Sequence, residues 1–200
     1  GDKVPVVQTG SKGICLGYAK VKLDKNGKPS FDYRLIPVKK HLDSKVDKAF
    51  SDMIDVYSAT VTEKMNEVIG YCPQAIRKGN PESPLGNLTA DGLIWMAKEK
   101  YGVDADVSLY NSGGIRAELS KGNLTLGDIY AVYPFDNVLT LLDMKGSDLK
   151  SLFEHVASAV GMPVNAGVRL VISNKKVKSV TVNGKAIEDS RTYKIATIDY

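Results

Sequence analysis

Histidine and cysteine are scarce: the 200 residues hold two of each, His41, His155, Cys15 and Cys72. A histidine-rich two-metal site or a four-cysteine zinc site cannot be assembled from so few ligands. No stretch approaches the roughly 18 uninterrupted apolar residues of a membrane span. A charged start followed by an apolar run and a small-residue cleavage site is also lacking. Beginning at Gly1-Asp2-Lys3, the chain is expected to be a trimmed or mature form. Cys15 and Cys72 stand 57 positions apart. They allow a disulfide or two buried thiols, and the thiol reading is preferred because one pair does not fix a redox compartment.

Arginine is also rare, at five of the 27 basic residues. The lysines are scattered and the net charge is only +4. The densest group, Lys175, Lys176 and Lys178, lacks the interleaved aromatics of a nucleic-acid groove, so no nucleic-acid polymer is expected as a partner. With 43% hydrophobic and 25% charged residues, the composition describes a globular chain able to bury one good core or two small ones. Against this scarcity, an arginine beside a glycine turn is a noticeable choice. Arg116 is that residue.

Strands are expected over Val4 to Thr9 and Ile14 to Leu23, with a turn at Asp24-Lys25-Asn26-Gly27 and a return strand through Phe31 and Ile36. Such a hairpin is marginal alone and needs a body to dock on. From about Lys45 to Asn66 a helical period carries Val46, Phe50, Met53, Ile54, Tyr57, Val61 and Met65 in a broad apolar stripe. This helix is either a connector between two bodies or an ordinary amphipathic core helix. Beyond it come a strand over Glu67 to Cys72, a helix from Leu85 to Lys100 and a strand from Val107 to Tyr110. A short helix over Leu126 to Val132 and a strand over Val138 to Met144 follow. A helix from Ser147, its expected N-cap, runs to Val160. The tail reads as three strands separated by Asn174-Lys175 and Asn183-Gly184 turns. The fold class is therefore mixed α/β (α+β), layered, with an antiparallel finish.

Two segments carry chemistry. Tyr110-Asn111-Ser112-Gly113-Gly114-Ile115-Arg116 leaves the end of an apolar strand, where α/β sheets favour ligands. Paired glycines permit positive φ and close backbone approach, while Asn111 and Arg116 offer directed hydrogen bonds and a fixed charge. A plain turn capped by asparagine is the competing reading. In Tyr133-Pro134-Phe135-Asp136-Asn137 a rigid turn presents Phe135 as a stacking face and Asn137 as a reader of polar ring edges, unless Phe135 is simply core.

Three segments taken in order shift the balance between these readings. They are Asn111 to Ala117, then Gly127-Asp128-Ile129-Tyr130-Ala131-Val132-Tyr133-Pro134-Phe135-Asp136-Asn137, then Gly146-Ser147-Asp148-Leu149 to His155. This set closely resembles the C-terminal domain of the 5′-nucleotidase family, which includes nucleotide hydrolases, UDP-sugar hydrolases and 2′,3′-cyclic-nucleotide phosphodiesterases. Val4 to Gly17 resembles the last strands of that family's N-terminal metallophosphatase domain. Leu85-Gly86-Asn87-Leu88-Thr89-Ala90-Asp91 resembles the helix start beside its ligand pocket.

The resemblance implies three parts: terminal metallophosphatase strands over 1–40, a linker helix over 41–66 and a substrate-binding domain over 67–200. It implies a nucleotide or nucleoside ligand whose base is stacked between Phe135 and Tyr200. Asn111 and Asn137 become base or sugar contacts, Gly113 and Gly114 the floor, and Arg116 a phosphate or ribose ligand. It further implies a periplasmic, cell-surface or secreted hydrolase. A divalent pair such as Zn, Mn, Co or Mg would sit in a metallophosphatase domain supplied in cis or in trans, this chain alone being inactive. Three departures stand against the pattern. Pro81-Glu82-Ser83-Pro84 replaces a segment that often carries arginine, the nearest being Arg77. The family's glycine-rich loop after the second aromatic is not in this sequence. No metal motif is present, and neither His41 nor His155 is expected to replace one. A non-catalytic module docking a partner through its exposed N-terminal hairpin is the alternative function. An autonomous hydrolase using Asp128 and Asp136 has little support.

Overall fold

The computed structural model describes residues 5–11, 13–39, 46–159 and 161–200. His41, and the outer ends of the expected segments at Val4, Lys45 and Val160, lie outside them. The chain divides into two compact units, Gly1–Thr60 and Val61–Tyr200.

In the first unit, β1 (Cys15–Leu23) and β2 (Pro29–Pro37) form an antiparallel hairpin, Cys15 opposite Pro37 and Leu23 opposite Pro29. The turn closes as expected: the Asp24 carboxylate accepts from the Asn26 and Lys28 N–H groups, and Gly27 takes φ 78°. A glycine relieves the left-handed conformation there. Leu16, Val21, Leu23, Phe31 and Leu35 are exposed. Residues 5–10 form no strand, contrary to the one expected over Val4 to Thr9. A strand needs a neighbour for its N–H and C=O groups, whereas the contact this segment's backbone makes with β2 is a side-chain one, the Tyr33 hydroxyl on the Gln8 carbonyl.

Helix α1 (Lys48–Met65) runs from the first unit into the second. Asp47 accepts from the Phe50 N–H at its start, and Lys48 pairs with Asp52 one turn on. Its apolar stripe is exposed at Phe50, Met53, Val56, Tyr57 and Val61. Among the described residues, no helix is long and apolar enough to cross a membrane.

The second unit centres on a three-stranded sheet. Strand β4 (Val107–Ser108) lies parallel to β10 (Thr192–Ile198), which lies antiparallel to β6 (Leu139–Lys145). Helix α2 (Pro84–Tyr101) and helix α4 (Gly146–Ser158) both pack on β6 and β10. Strand β10 shows why two helices are needed. Tyr193 and Ile195 enter one core with Leu149, Phe153 and Val156 of α4, whereas Ala196 and Ile198 enter another with Leu85, Leu93 and Ala97 of α2. Alternate residues of a strand face opposite sides, so this strand is apolar on both and its sheet is a middle layer.

Local chemistry bounds the helices. Ser83 caps α2 through the Gly86 N–H, Pro84 opens it, and Gly102 closes it at φ 65°. Helix α4 departs from expectation, because its cap is Lys145, without a side-chain bond, and not Ser147. Carbonyls of the incoming β10 connection take that role: Gly146 N–H donates to Arg191 and Ser147 N–H to Asp189. The backbone of Glu188 occupies the place a Cβ on residue 146 would need, so glycine is required.

Strand β3 (Val68–Cys72) pairs with β5 (Gly122–Thr125), a strand without a sequence expectation, which leads into α3 (Leu126–Val132). Strands β7 (Val168–Ser173), β8 (Lys176–Val182) and β9 (Lys185–Ala186) complete the unit. Asn174-Lys175 and Asn183-Gly184 both take positive φ at their two positions, as tight hairpin turns demand. Cys15 and Cys72 are free thiols.

Candidate functional site

The sheet topology places three chain segments at one edge. The parallel strands β4 and β10 deliver their C-terminal ends there, leading into the Asn111 turn and into Asp199-Tyr200. The antiparallel β6 begins there, just after Phe135 to Val138, with Leu139 opposite Ile198. All seven residues singled out in the sequence, Asn111, Gly113, Gly114, Arg116, Phe135, Asn137 and Tyr200, line one cavity of about 200 Å³, joined by Ile198. Ile198 went unanticipated, although it is the alternate-residue neighbour of Tyr200 on the same strand end.

The glycine turn works differently from expectation. Ser112–Gly114 form a single 3₁₀ turn capped by Asn111, whose side-chain oxygen accepts from the Gly113 N–H at 3.0 Å. Neither glycine has positive φ. What excludes a side chain at Gly114 is the buried Tyr110 ring, with a Cβ there falling 2.8 Å from a ring carbon. Asn111 is thus a cap and a cavity-lining residue together.

Arg116 is fixed by its backbone, its N–H donating to the Val132 carbonyl at the end of α3. Its guanidinium donates from Nη1 to the Gly113 carbonyl at 3.1 Å and stands 5.8 Å from the Phe135 ring centroid. Phe135 is 50% exposed, so the core reading of this ring does not hold, and Tyr200 is 88% exposed. Two flat aromatic faces and a fixed cation therefore share a small, partly apolar hollow.

Against Gly114 packs the buried Tyr110, which pairs with the half-buried Tyr133. The Tyr110 and Tyr133 rings meet edge to face at 6.1 Å. Burial pushes both phenols above their ordinary pKa. A hydrogen bond from Asn137 opposes this at Tyr110, and one from Thr89, 2.7 Å from the Tyr133 hydroxyl, opposes it at Tyr133. Both phenols stay neutral at physiological pH and do not serve as bases.

Other candidates lie apart. Arg77 does not line the cavity; its guanidinium faces Glu118 at 3.9 Å and its carbonyl accepts from Leu85 N–H. His155 is exposed in the last turn of α4. Asp128 is engaged in the capping box of α3, accepting from the Thr125 N–H and hydroxyl, both at 2.8 Å. Among the described residues, no three His, Cys, Asp or Glu side chains converge as a metal site. The donor set of the described residues does not fit a divalent metal pair.

Comparison with known proteins bears on what this edge of the sheet is. The family model described as "5′-nucleotidase, C-terminal domain" matches residues 59–200. The chain belongs to the 5′-nucleotidase family. It matches the trifunctional nucleotide phosphoesterase protein YfkN of Bacillus subtilis at 30% identity, across 98% of this chain and 15% of that protein. It matches the human 5′-nucleotidase at 30% identity, across 80% of this chain and 30% of that protein. Among solved structures, a 5′-nucleotidase precursor from Thermus thermophilus superposes with a TM-score of 0.66 at 25% identity, covering 94% of this chain and 40% of that one. The chain thus spans well under half the length of these relatives. The mixed α/β layers are those of 5′-nucleotidase C-terminal domains.

Proposed function

We propose that the cavity between Phe135 and Tyr200 is the nucleotide-recognition site of a 5′-nucleotidase-like phosphoester hydrolase. The observation carrying this reading is that the seven positions named from the family motifs border a single hollow, with both aromatics exposed at it. A purine or pyrimidine ring stacks between the two aromatics. Asn111 and Asn137 meet polar edges of base or sugar, and the Gly113-Gly114 backbone forms the floor. Arg116 supplies a guanidinium suited to phosphate or ribose oxygens.

Hydrolysis in this reading belongs to a metallophosphatase domain, in cis or in trans, which holds a divalent metal pair and supplies Lewis-acid activation of water and phosphate. This chain selects and orients the substrate. In this reading strands β1 and β2 end that domain and α1 is the linker helix. The exposed apolar side chains of the hairpin and α1 support such a covering body. The same exposure is what favours the second reading, a non-catalytic module docking a partner through its hairpin. The location proposed from the family is periplasmic, cell-surface or secreted.

Isothermal titration with AMP and adenosine tests the first reading. Binding that weakens by about tenfold or more in Phe135→Ala supports it, that being the scale of one lost stacked base. A folded protein that binds neither ligand at millimolar concentration, or binds indifferently to the substitution, contradicts it.

A further inference from the structure

Tyr200 is the most exposed aromatic of the cavity, at 88%. A side chain so free has no packing of its own to set its distance from Phe135, yet a stacked ring requires two faces held at a fixed spacing. The neighbouring residue supplies the restraint. Asp199 accepts through Oδ1 from the Val138 N–H at 2.8 Å, and its own N–H donates to the Val138 carbonyl at 3.2 Å. Val138 lies three residues beyond Phe135 and next to Asn137. The two bonds begin where the β10–β6 pairing ends, at Ile198 opposite Leu139.

The backbone bond alone continues the ladder by one rung. Adding the carboxylate closes a second ring of contacts on the Val138 N–H, which would otherwise face solvent. The segment carrying Phe135 and Asn137 and the segment carrying Tyr200 are thereby joined at their roots. The carboxylate is committed to a backbone N–H and lies outside the residues bordering the cavity.

From this we infer that Asp199 is a positioning residue, whose carboxylate on the Val138 N–H sets the gap between the Phe135 and Tyr200 rings and so the affinity for the base. The inference rests on the stacking role proposed above. Asp199 touches no ligand in it and acts only through Tyr200.

The test is a double-mutant cycle read by AMP and adenosine affinity. Asp199→Ala is expected to weaken both ligands by about tenfold, close to the loss in Tyr200→Ala, because an unplaced ring stacks poorly. Asp199→Asn keeps an acceptor oxygen at the same position and is expected to stay within about threefold of the native affinity. In the Tyr200→Ala background, Asp199→Ala is expected to add nothing, the signature of coupled residues. Asp199→Glu, which keeps the charge but displaces the carboxylate by one methylene, is expected to lose affinity as alanine does, and it takes alanine's place if that variant melts too low to titrate. Native affinity in Asp199→Ala, equal losses in the Asn and Ala variants, or additive losses in the double variant would overturn the inference while leaving the stacking site intact. Failure of the unsubstituted protein to bind either ligand overturns the stacking site itself, and the inference with it.

Discussion

Arg116 and Phe135 form one unit: the guanidinium carbon stands 5.8 Å from the ring centroid while Nη1 bonds the Gly113 carbonyl. A cation near an aromatic face is attracted by the ring quadrupole, and the carbonyl bond prevents the side chain from sweeping free. The hollow therefore has a charged group placed beside its Phe135 ring.

In the proposed reading this arrangement would separate phosphate recognition, at Arg116, from base recognition, at Phe135. Arg116→Ala is expected to weaken AMP by about tenfold, the scale of one hydrogen bond to a charged group, and adenosine much less. Arg116→Lys is expected to recover only part, since an ammonium lacks the planar fork. Titration of both ligands against both variants checks this.

Gly114 is required by the Tyr110 ring and not by backbone conformation. Gly114→Ala is expected to destabilise by about 1–3 kcal/mol, the scale of an overpacked core position. Gly113→Ala, whose added carbon meets only the Asn111 side chain at 3.2 Å, is expected to cost less. Urea midpoints of the two variants decide the order.

The N-terminus of α3 carries a pH-dependent contribution. Bonds from the Thr125 N–H, and secondarily from its hydroxyl, hold the Asp128 carboxyl below its ordinary pKa. A carboxyl depressed in the folded state stabilises above its unfolded pKa and loses that contribution as pH falls through the folded value. The melting-temperature gap between the native protein and Asp128→Ala is therefore expected to be present at pH 7 and to close in acid. Thr125→Ala is expected to cost about 1 kcal/mol, the usual cost of a lost cap.

The phenol pair gives the opposite sign. Burial raises both Tyr110 and Tyr133, so each favours the fold below the unfolded pKa of a phenol, a contribution lost as pH rises through the raised folded values. Stability measured from pH 8 upward is expected to decline in alkali less steeply in Tyr133→Phe, which has one phenol fewer to titrate, although its loss of the Thr89 bond lowers the starting value.

Much of this was readable in advance where local chemistry decides. The Asn174-Lys175 and Asn183-Gly184 turns and the helix from Leu85 fall where their residues indicate. Elements decided by distant partners were not readable. Strand β5 spans four residues and exists because β3 pairs with it. Residues 5–9 carry the valines of an expected strand but form none among the described residues. Ser147 has the composition of a cap, yet the carbonyls of Arg191 and Asp189 occupy the first donors of α4. Convergence at the site likewise depends on β10 running parallel to β4 and antiparallel to β6, a relation that no single segment encodes.

The stacking of a base between Phe135 and Tyr200 is the central claim, and proton NMR of adenosine titrated with the protein tests it most directly. Upfield ring-current shifts of the adenine H2 and H8 protons, exceeding those of the ribose protons and reduced in both Phe135→Ala and Tyr200→Ala, are predicted. Adenine resonances that stay in place at saturating protein, or shift equally in the two variants and the native protein, would contradict it.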